Sequence, residues 1–147
     1  MIKERSPYGL IQEDLCDRPW RMLIACIMLN LTNIKQVRPI IWKFFEEYPD
    51  EVAAARADKE TLATMLQPLG LHNRRAGSII KFSTAYATGG WTDVLKLPGI
   101  GKYAADSYEI FVVGNLDVRP TDSKLKLYLK WALGRPHATG NEMCQAA

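Results

Sequence analysis

Cysteine and histidine are scarce in this sequence. Its 147 residues include three cysteines, at positions 16, 26 and 144, and two histidines, His72 and His137. The cysteines are odd in number and lie far apart, so the sequence predicts neither a disulfide framework nor a Cys-x-x-Cys metal pair. Two isolated histidines are too few for a zinc site. We therefore expect no transition metal, a core position for Cys26, and surface positions for both histidines.

Long apolar runs are also missing. The longest is MLIACIML, at positions 22–29, whereas a membrane-spanning helix needs about 20 apolar residues. The first twenty residues do not show the basic region followed by an apolar region that marks a secretory signal. We therefore expect an intracellular protein without a membrane span. Its hydrophobic content of 48% is enough for one compact domain with a core.

Strand-like alternation, internal repeats and low-complexity segments are absent, whereas helical periodicity runs along nearly the whole chain. The pattern predicts an all-α fold. The segment at about 19–31 is apolar almost all round, which is typical of a helix covered on every face. We predict one domain over 1–134, with a helical hairpin at about 92–113, and a weakly structured tail over 135–147. Further helices are predicted from Thr32/Asn33, at 51–57, from Asp58 to Gln67, from Asn73 to Ala87, in WTDVLK, in GKYAADSYEIFVV and in DSKLKLYLKWAL.

The stretch LPGIGKY, at positions 97–103, places Gly99 and Gly101 between two helices. Glycines leave no side chain where the backbone must approach a ligand. Exposed amides at the start of the helix near Gly101, together with its dipole and Lys102, would form a seat for a phosphate. A purely structural turn between two helices fits the glycines equally well. The net charge of +3 permits a polyanionic partner but does not by itself indicate one.

Several segments share an order with one enzyme superfamily: GLIQE, PWRMLIACIMLN, WKFFEEYP, PLGLHNRRA, IIKFS and GIGKYAADSYEIF, followed by TDSKLKLY. Over about residues 8 to 133 they resemble the helix-hairpin-helix DNA glycosylases, and within them the thymine glycosylase domain found alongside methyl-CpG-binding domains. The resemblance implies a two-lobed helical fold with a catalytic cleft between the lobes. It also implies a monomer that acts on double-stranded DNA in the cytoplasm or nucleoid, or in the nucleus of a eukaryote. The methyl-CpG-reading module has no counterpart in this sequence.

The resemblance assigns the catalytic position to Asp122. Cleavage of an N-glycosidic bond builds positive charge on the deoxyribose, which an ionised carboxylate stabilises. A helix N-terminus at this position would help to keep Asp122 ionised, and the carboxylate could orient or deprotonate the attacking water. Without the resemblance, the same aspartate would be interpreted as an ordinary N-cap.

Tyr103 decides the reaction type that the resemblance implies. Bifunctional relatives such as endonuclease III carry at this place the lysine that forms a Schiff base with the sugar. Lys102 lies one residue earlier, about 100 degrees round the helix, so covalent lyase chemistry is not expected. We expect a monofunctional enzyme that leaves an abasic site, with the Tyr103 ring lining the base pocket. The alternative is an aromatic side chain packed in the core.

An enzyme of this kind must flip the target nucleotide out of the duplex and fill the hole. The resemblance places Leu71 and Leu31 at the wedge positions, where the nearest relatives have arginine in place of Leu31. It places Gln12 and Leu10 in the base pocket, and a glutamine amide can both donate to and accept from a pyrimidine. Lys124 matches a lysine beside the catalytic acid.

The resemblance also bears on cofactors and substrate. Iron–sulfur relatives carry four cysteines after the catalytic acid, and this chain has only Cys144 there, so no cluster is expected. Related hairpins hold K⁺ or Na⁺ on backbone carbonyls that match Leu95, Leu97 and Ile100. The implied substrate is thymine or uracil in a G·T or G·U mismatch. The alternatives are 5-hydroxymethyluracil or another modified base, a non-catalytic DNA-binding module, and a nucleotide-modifying transferase.

Overall fold

The structure is a computed structural model that describes residues 4–135. Within this range it is helical and contains no strand, which confirms the predicted fold class. None of the described helices combines the length and apolarity needed to cross a bilayer. The α-helices are, in chain order, α1 (Ile11–Leu15), α2 (Pro19–Leu29), α3 (Ile34–Glu47), α4 (Glu51–Ala55), α5 (Lys59–Leu66), α6 (His72–Thr88), α7 (Lys102–Tyr108) and α8 (Ser123–Leu133).

Several helix ends follow local capping signals. The Asn33 side chain accepts a hydrogen bond from the Gln36 backbone amide, and the Gln36 side chain accepts one from the Asn33 backbone amide, which forms a capping box at the start of α3. Asp58 caps α5 in the same way through the Thr61 amide, and Gly89 follows the end of α6 with a φ of 74°. These ends lie within one or two residues of the predicted ones.

Four elements differ from the sequence-based expectations. The short helix α1 was not predicted, and WTDVLK forms a single 3₁₀ turn at Val94–Lys96. The long helix predicted from GKYAADSYEIFVV is α-helical only in α7, after which Glu109–Val113 forms a π-helical segment that ends at Gly114. The helix predicted to reach residue 31 stops at Leu29, because Leu31 has a left-handed backbone with φ of 61°.

Helix α2 lies at the centre, as its all-round apolar pattern predicts. All residues from Met22 to Met28 are buried, including Cys26. Its Trp20 joins two other helices, since the indole Nε1 donates to Ser83 Oγ of α6 at 3.1 Å and the ring lies 6.1 Å from Phe44 of α3. A core helix of this kind fixes the positions of the helices that surround it.

The remaining helices form two groups around α2. Helices α3 to α6 pack together as one lobe, with α4 and α5 lying against α6. The other lobe contains α1 and α7, which both pack against α2 and are joined by the Gln12–Tyr103 hydrogen bond, together with α8. The Phe111 ring, after α7, packs 4.6 Å from the Tyr128 ring of α8. Helix α8 ends at Leu133. The single-domain boundary stays a prediction, and the predicted tail lies outside the described residues from position 136 onward, with His137 and Cys144.

Candidate active site

A cleft of about 840 Å³ lies between the two lobes. Its walls come from α1, the turn after α2, the start of α6, the hairpin and the start of α8. All the residues predicted to bind or cleave the nucleotide line it, although they come from distant parts of the sequence: Leu10, Gln12, Leu31, Leu71, Gly99, Gly101, Lys102, Tyr103, Asp122 and Lys124. The fold therefore brings these predicted residues to one place. Leu95, Leu97 and Ile100, predicted to hold a cation, lie outside its wall.

Asp122 occupies the N-cap of α8 and is partly buried. Its Oδ2 accepts a hydrogen bond from the Leu125 amide at 2.9 Å. Among the residues that the structure describes, Oδ1 accepts no hydrogen bond. The N-cap interpretation and a site in the cleft are thus both compatible with the geometry, because each carboxylate oxygen can serve a different purpose. As the N-cap, the carboxylate lies at the positive end of the α8 dipole.

Gln12 is 1% exposed, because α1 places it under the cleft. Its Nε2 donates to Tyr103 Oη at 2.7 Å and to Ser107 Oγ at 3.2 Å. A primary amide has two N–H donors and one carbonyl acceptor. Both donors are engaged within the protein, so only Oε1 is left for a ligand. This differs from the expectation of an amide that both donates to and accepts from the bound base.

The two ionisable groups beside Gln12 are held in their neutral forms. Burial raises the pKa of the Tyr103 phenol well above its usual value, and the neighbouring Cys26 and Asp122 raise it further. Burial likewise raises the pKa of the Cys26 thiol to about 12. Cys26 therefore has its predicted core position and also lies at the inner wall of the cleft as a thiol.

The hairpin exposes backbone amides to the cleft. Gly99 has a φ of 83°, which glycine adopts at no steric cost. Gly101 has a φ of −100°, and a Cβ placed there would meet nothing within 4 Å. The folded chain itself therefore does not require glycine at 101. No side chain caps the first turn of α7, so its amides are available to an external acceptor.

Lys102 does not reach over these amides, which corrects its expected part in a phosphate seat. Its Nζ donates to Asp106 Oδ2 at 2.9 Å and to the Arg119 carbonyl at 3.2 Å. The reason is electrostatic: Asp106 is a nearly buried carboxylate one turn further along α7, and a buried charge needs a partner. The ammonium is thereby directed along the helix and away from Tyr103, as the helical spacing predicts.

Leu31 and Leu71 point outward at the rim of the cleft. They are 81% and 52% exposed, so they do not pack into the core. Their φ values are 61° and 48°, and within residues 4–135 they are the only non-glycine residues with positive φ. Leucine rarely adopts this conformation, which costs roughly 1–2 kcal/mol per residue. Both predicted wedge residues therefore combine exposure with backbone strain.

Two polar residues of the site escaped the sequence-based interpretation. Arg75 on α6 is buried beneath the rim and donates to the carbonyls of Asn30 and Gly70, which belong to two different turns of the cleft wall. Ser107, one turn after Tyr103 on α7, is fully buried and accepts from Gln12. Their contacts join segments that lie far apart in the chain. The periodicity of a single helix therefore offers no signal for either residue.

A helical fold of two lobes, with a glycine hairpin and a capping aspartate at the cleft between them, defines the helix-hairpin-helix class. Residues 24–142 match the family model described as "HhH-GPD superfamily base excision DNA repair protein". The chain belongs to that superfamily.

Curated relatives refine the comparison. The chain is 41% identical over 128 residues to a "Methyl-CpG-binding domain protein 4-like protein" of Arabidopsis thaliana, an alignment that covers 86% of this chain and 29% of that protein. It is 35% identical over 103 residues to a "Thymine/uracil-DNA glycosylase" of Pyrobaculum aerophilum, covering 65% and 45% of the two chains. A "Thymine-DNA glycosylase" of Aeropyrum pernix is 27% identical over 131 residues, covering 81% and 59%. The alignments thus span about a third to three fifths of these relatives.

The fold has a counterpart among solved structures. A structure of a thermostable thymine-DNA glycosylase superposes with a TM-score of 0.59 and 25% sequence identity, covering 71% of this chain and 57% of that one. The architecture is thus shared with a relative, in agreement with the family match.

Proposed function

We propose that this chain is a monofunctional DNA glycosylase that removes thymine or uracil from G·T and G·U mismatches in double-stranded DNA and leaves an abasic site for base excision repair. The observation that supports this most is the hydrogen bond between Gln12 and Tyr103 in the cleft that Asp122 lines. It joins two predicted pocket residues that are 91 positions apart in the sequence. Relatives named for thymine and uracil support the choice of base.

Duplex binding uses the hairpin and the cleft rim. The free amides at the start of α7, next to Gly101, donate hydrogen bonds to a DNA phosphate. Leu31 and Leu71 enter the duplex and occupy the space left by the extruded nucleotide. Mismatched pairs cost least to open, which favours G·T and G·U over regular pairs.

Base selection depends on Gln12. Its Oε1 accepts a hydrogen bond from N3–H of thymine or uracil, while Tyr103 and Ser107 hold the amide in this orientation. Cytosine carries no hydrogen at N3, so it would leave two acceptors facing each other. The Tyr103 ring, held neutral by burial, offers an aromatic face to the base.

The chemical step is hydrolysis of the bond between C1′ and N1. The bond breaks, its electron pair leaves with the pyrimidine, and positive charge develops on the sugar. Asp122 stabilises that charge with the carboxylate oxygen that the helix cap does not use. A water molecule then bonds to C1′, and its proton passes to Asp122 or to solvent. Lys124, which is exposed in the first turn of α8, contacts a phosphate beside the sugar or polarises the site.

The absence of lyase activity is part of the proposal. A Schiff base needs a free amine at the sugar, whereas Tyr103 replaces the hairpin lysine and the Lys102 ammonium is paired with Asp106. The proposal includes no iron–sulfur cluster.

A monovalent cation fits the same hairpin. Carbonyl oxygens suit hard cations. Leu95, Leu97 and Ile100 lie in one turn, in which the Ile100 amide donates a hydrogen bond to the Leu97 carbonyl at 3.3 Å. K⁺ or Na⁺ on these carbonyls would attract a DNA phosphate.

We further propose that the protein acts as a monomer on DNA inside the cell.

The test is incubation with end-labelled duplexes that hold G·T, G·U, A·U, 5-hydroxymethyluracil or oxidised guanine, followed by alkali to cleave abasic sites. We expect cleavage of the G·T and G·U duplexes only after alkali. No base release from any duplex would contradict the glycosylase proposal. Strand cleavage without alkali, together with trapping of the protein by borohydride, would contradict only the monofunctional part.

A further inference from the structure

Arg75 is buried between the two turns that carry the exposed leucines. It is 6% exposed. Its guanidinium donates from Nη1 to the Asn30 carbonyl at 2.7 Å and from Nε to the Gly70 carbonyl at 2.9 Å. Asn30 directly precedes Leu31 and Gly70 directly precedes Leu71. One side chain thus binds the backbone immediately before each predicted wedge residue.

The strain at these turns requires such a support. Left-handed backbone at non-glycine residues persists only where the surrounding structure holds it. A guanidinium is planar and rigid, with donors in a fixed fork, so it fixes the direction and separation of the carbonyls that it binds. Arg75 also reaches the Leu69 carbonyl at 3.5 Å. Leu31 and Leu71 lie on two separate turns of the cleft rim, and Arg75 bridges these turns through its hydrogen bonds to Asn30 and Gly70.

We propose that Arg75 is a positioning residue that locks the two wedge turns together, so that Leu31 and Leu71 enter the duplex as one unit. It acts through these turns, because its own side chain is buried. This inference rests on the proposed function, since it assumes that the leucines fill the space of a flipped nucleotide. A lysine at position 75 would keep the positive charge and lose the fork.

The first measurement follows nucleotide flipping and does not depend on base excision. The probe is a duplex with 2-aminopurine next to a 2′-fluorinated deoxyuridine opposite guanine, and its fluorescence rises when the neighbouring base leaves the stack. We expect Arg75→Lys to bind this duplex still, but with the equilibrium constant for nucleotide flipping lowered about 10-fold. This is the size of the effect of losing one hydrogen bond from a charged donor. The matched control is Lys81→Met, which removes a charge from an exposed position of the same helix.

The second measurement asks whether the two leucines act together. In the wild-type background we expect the effects of Leu31→Ala and Leu71→Ala on the flipping equilibrium to be non-additive. The double variant should flip the nucleotide only slightly less than the single variant with the larger loss. In the Arg75→Lys background the two effects should multiply. A residue that merely stabilised the fold would lower the melting temperature without changing this coupling.

Two results would overturn the inference. One is nucleotide flipping by Arg75→Lys equal to that of wild type and Lys81→Met; the other is leucine effects that multiply in the wild-type protein. The second result needs no Arg75 variant, so it decides the matter even where such variants fail to fold. If wild type flips the nucleotide of the probe but excises no base from any duplex, the proposed function fails, while the positioning role of Arg75 is still supported.

Discussion

The most direct test of the active site is Asp122→Asn, because this change separates the two purposes of the side chain. The carboxylate Oδ2 caps α8 by accepting from the Leu125 amide. An asparagine carbonyl oxygen can accept the same hydrogen bond, and asparagine and aspartate are nearly equal as N-caps. The lost interaction with the helix dipole is worth about 0.3–1 kcal/mol. The variant should therefore fold with nearly the stability of wild type.

The effect on catalysis should be much larger than the effect on folding. A full negative and a full positive charge 4 Å apart interact with about 4 kcal/mol at the effective dielectric constant of about 20 that describes such sites. The positive charge on the sugar is only partly developed in the transition state, so about 2–4 kcal/mol is at stake. At 1.36 kcal/mol for each factor of ten, the excision rate should fall by about 30-fold to 10³-fold.

The assay is single-turnover release of uracil from a G·U duplex, with thermal unfolding of the same samples. The control is Asp58→Asn, the same substitution at the N-cap of α5, where Oδ2 accepts from the Thr61 amide at 3.0 Å. It should leave the rate unchanged. Asp122→Ala should lose the same activity and, in addition, about 1 kcal/mol of stability through the lost cap. Wild-type excision by Asp122→Asn would refute the reasoning, as would an equal loss in Asp58→Asn.

Three further predictions follow from the cleft. Gly101→Ala should fold normally, because the φ of −100° at this position suits any residue and an added Cβ would meet nothing. It should nevertheless weaken duplex binding, measured by fluorescence anisotropy, because the added Cβ stands where the backbone approaches the DNA. Gly99→Ala should instead lower the melting temperature, because φ is 83° at position 99. Ser107→Ala should slow uracil excision about 2- to 10-fold, the size of one neutral hydrogen bond, because Gln12 loses one of its two anchors, and unchanged kinetics would contradict that anchoring. Burial raises the pKa of Cys26 to about 12 from 9.0, so stability is fully present below pH 9 and should fall as the pH rises from 9 towards 12. Equilibrium unfolding of wild type and Cys26→Ala checks this, since the variant should lose less.

Local signals made many of the helix boundaries predictable from the sequence. Asn33 and Asp58 each cap a helix through a hydrogen bond that spans three residues, and the glycine after α6 ends it by its own conformational freedom. Such features depend on neighbours in the chain. Helix α1 has only five residues, too few to show a periodic pattern, and it is held by packing against α2. The π-helical segment after Tyr108 has the same apolar pattern as an α-helix, so periodicity could not reveal it.

The sequence predicted which residues line the candidate site, but it did not predict the hydrogen bonds that these residues make. The resemblance placed Gln12 in the base pocket and the hairpin pattern placed Lys102 at a phosphate seat, and both residues line the cleft. It could not indicate that both Gln12 amide donors are engaged, because their partners lie more than 90 positions away. Nor could it indicate that Asp106 holds the Lys102 ammonium, since a lysine at this place is equally compatible with a phosphate contact. Which of several available partners a polar group takes is decided by the three-dimensional packing.

The two rim leucines show where the chain departs from what folding alone would favour. A glycine at either position would relieve left-handed strain of roughly 1–2 kcal/mol and would remove an apolar side chain from water. The chain does use glycine at position 70, next to Leu71, where φ is 71°. In the proposed function, side chains are kept at Leu31 and Leu71 in spite of both costs because they act on the DNA. Insertion into a base stack would remove the leucine surface from water, at about 25 cal/mol for each Å² buried. On this proposal, the left-handed backbone holds both side chains towards the duplex before it binds.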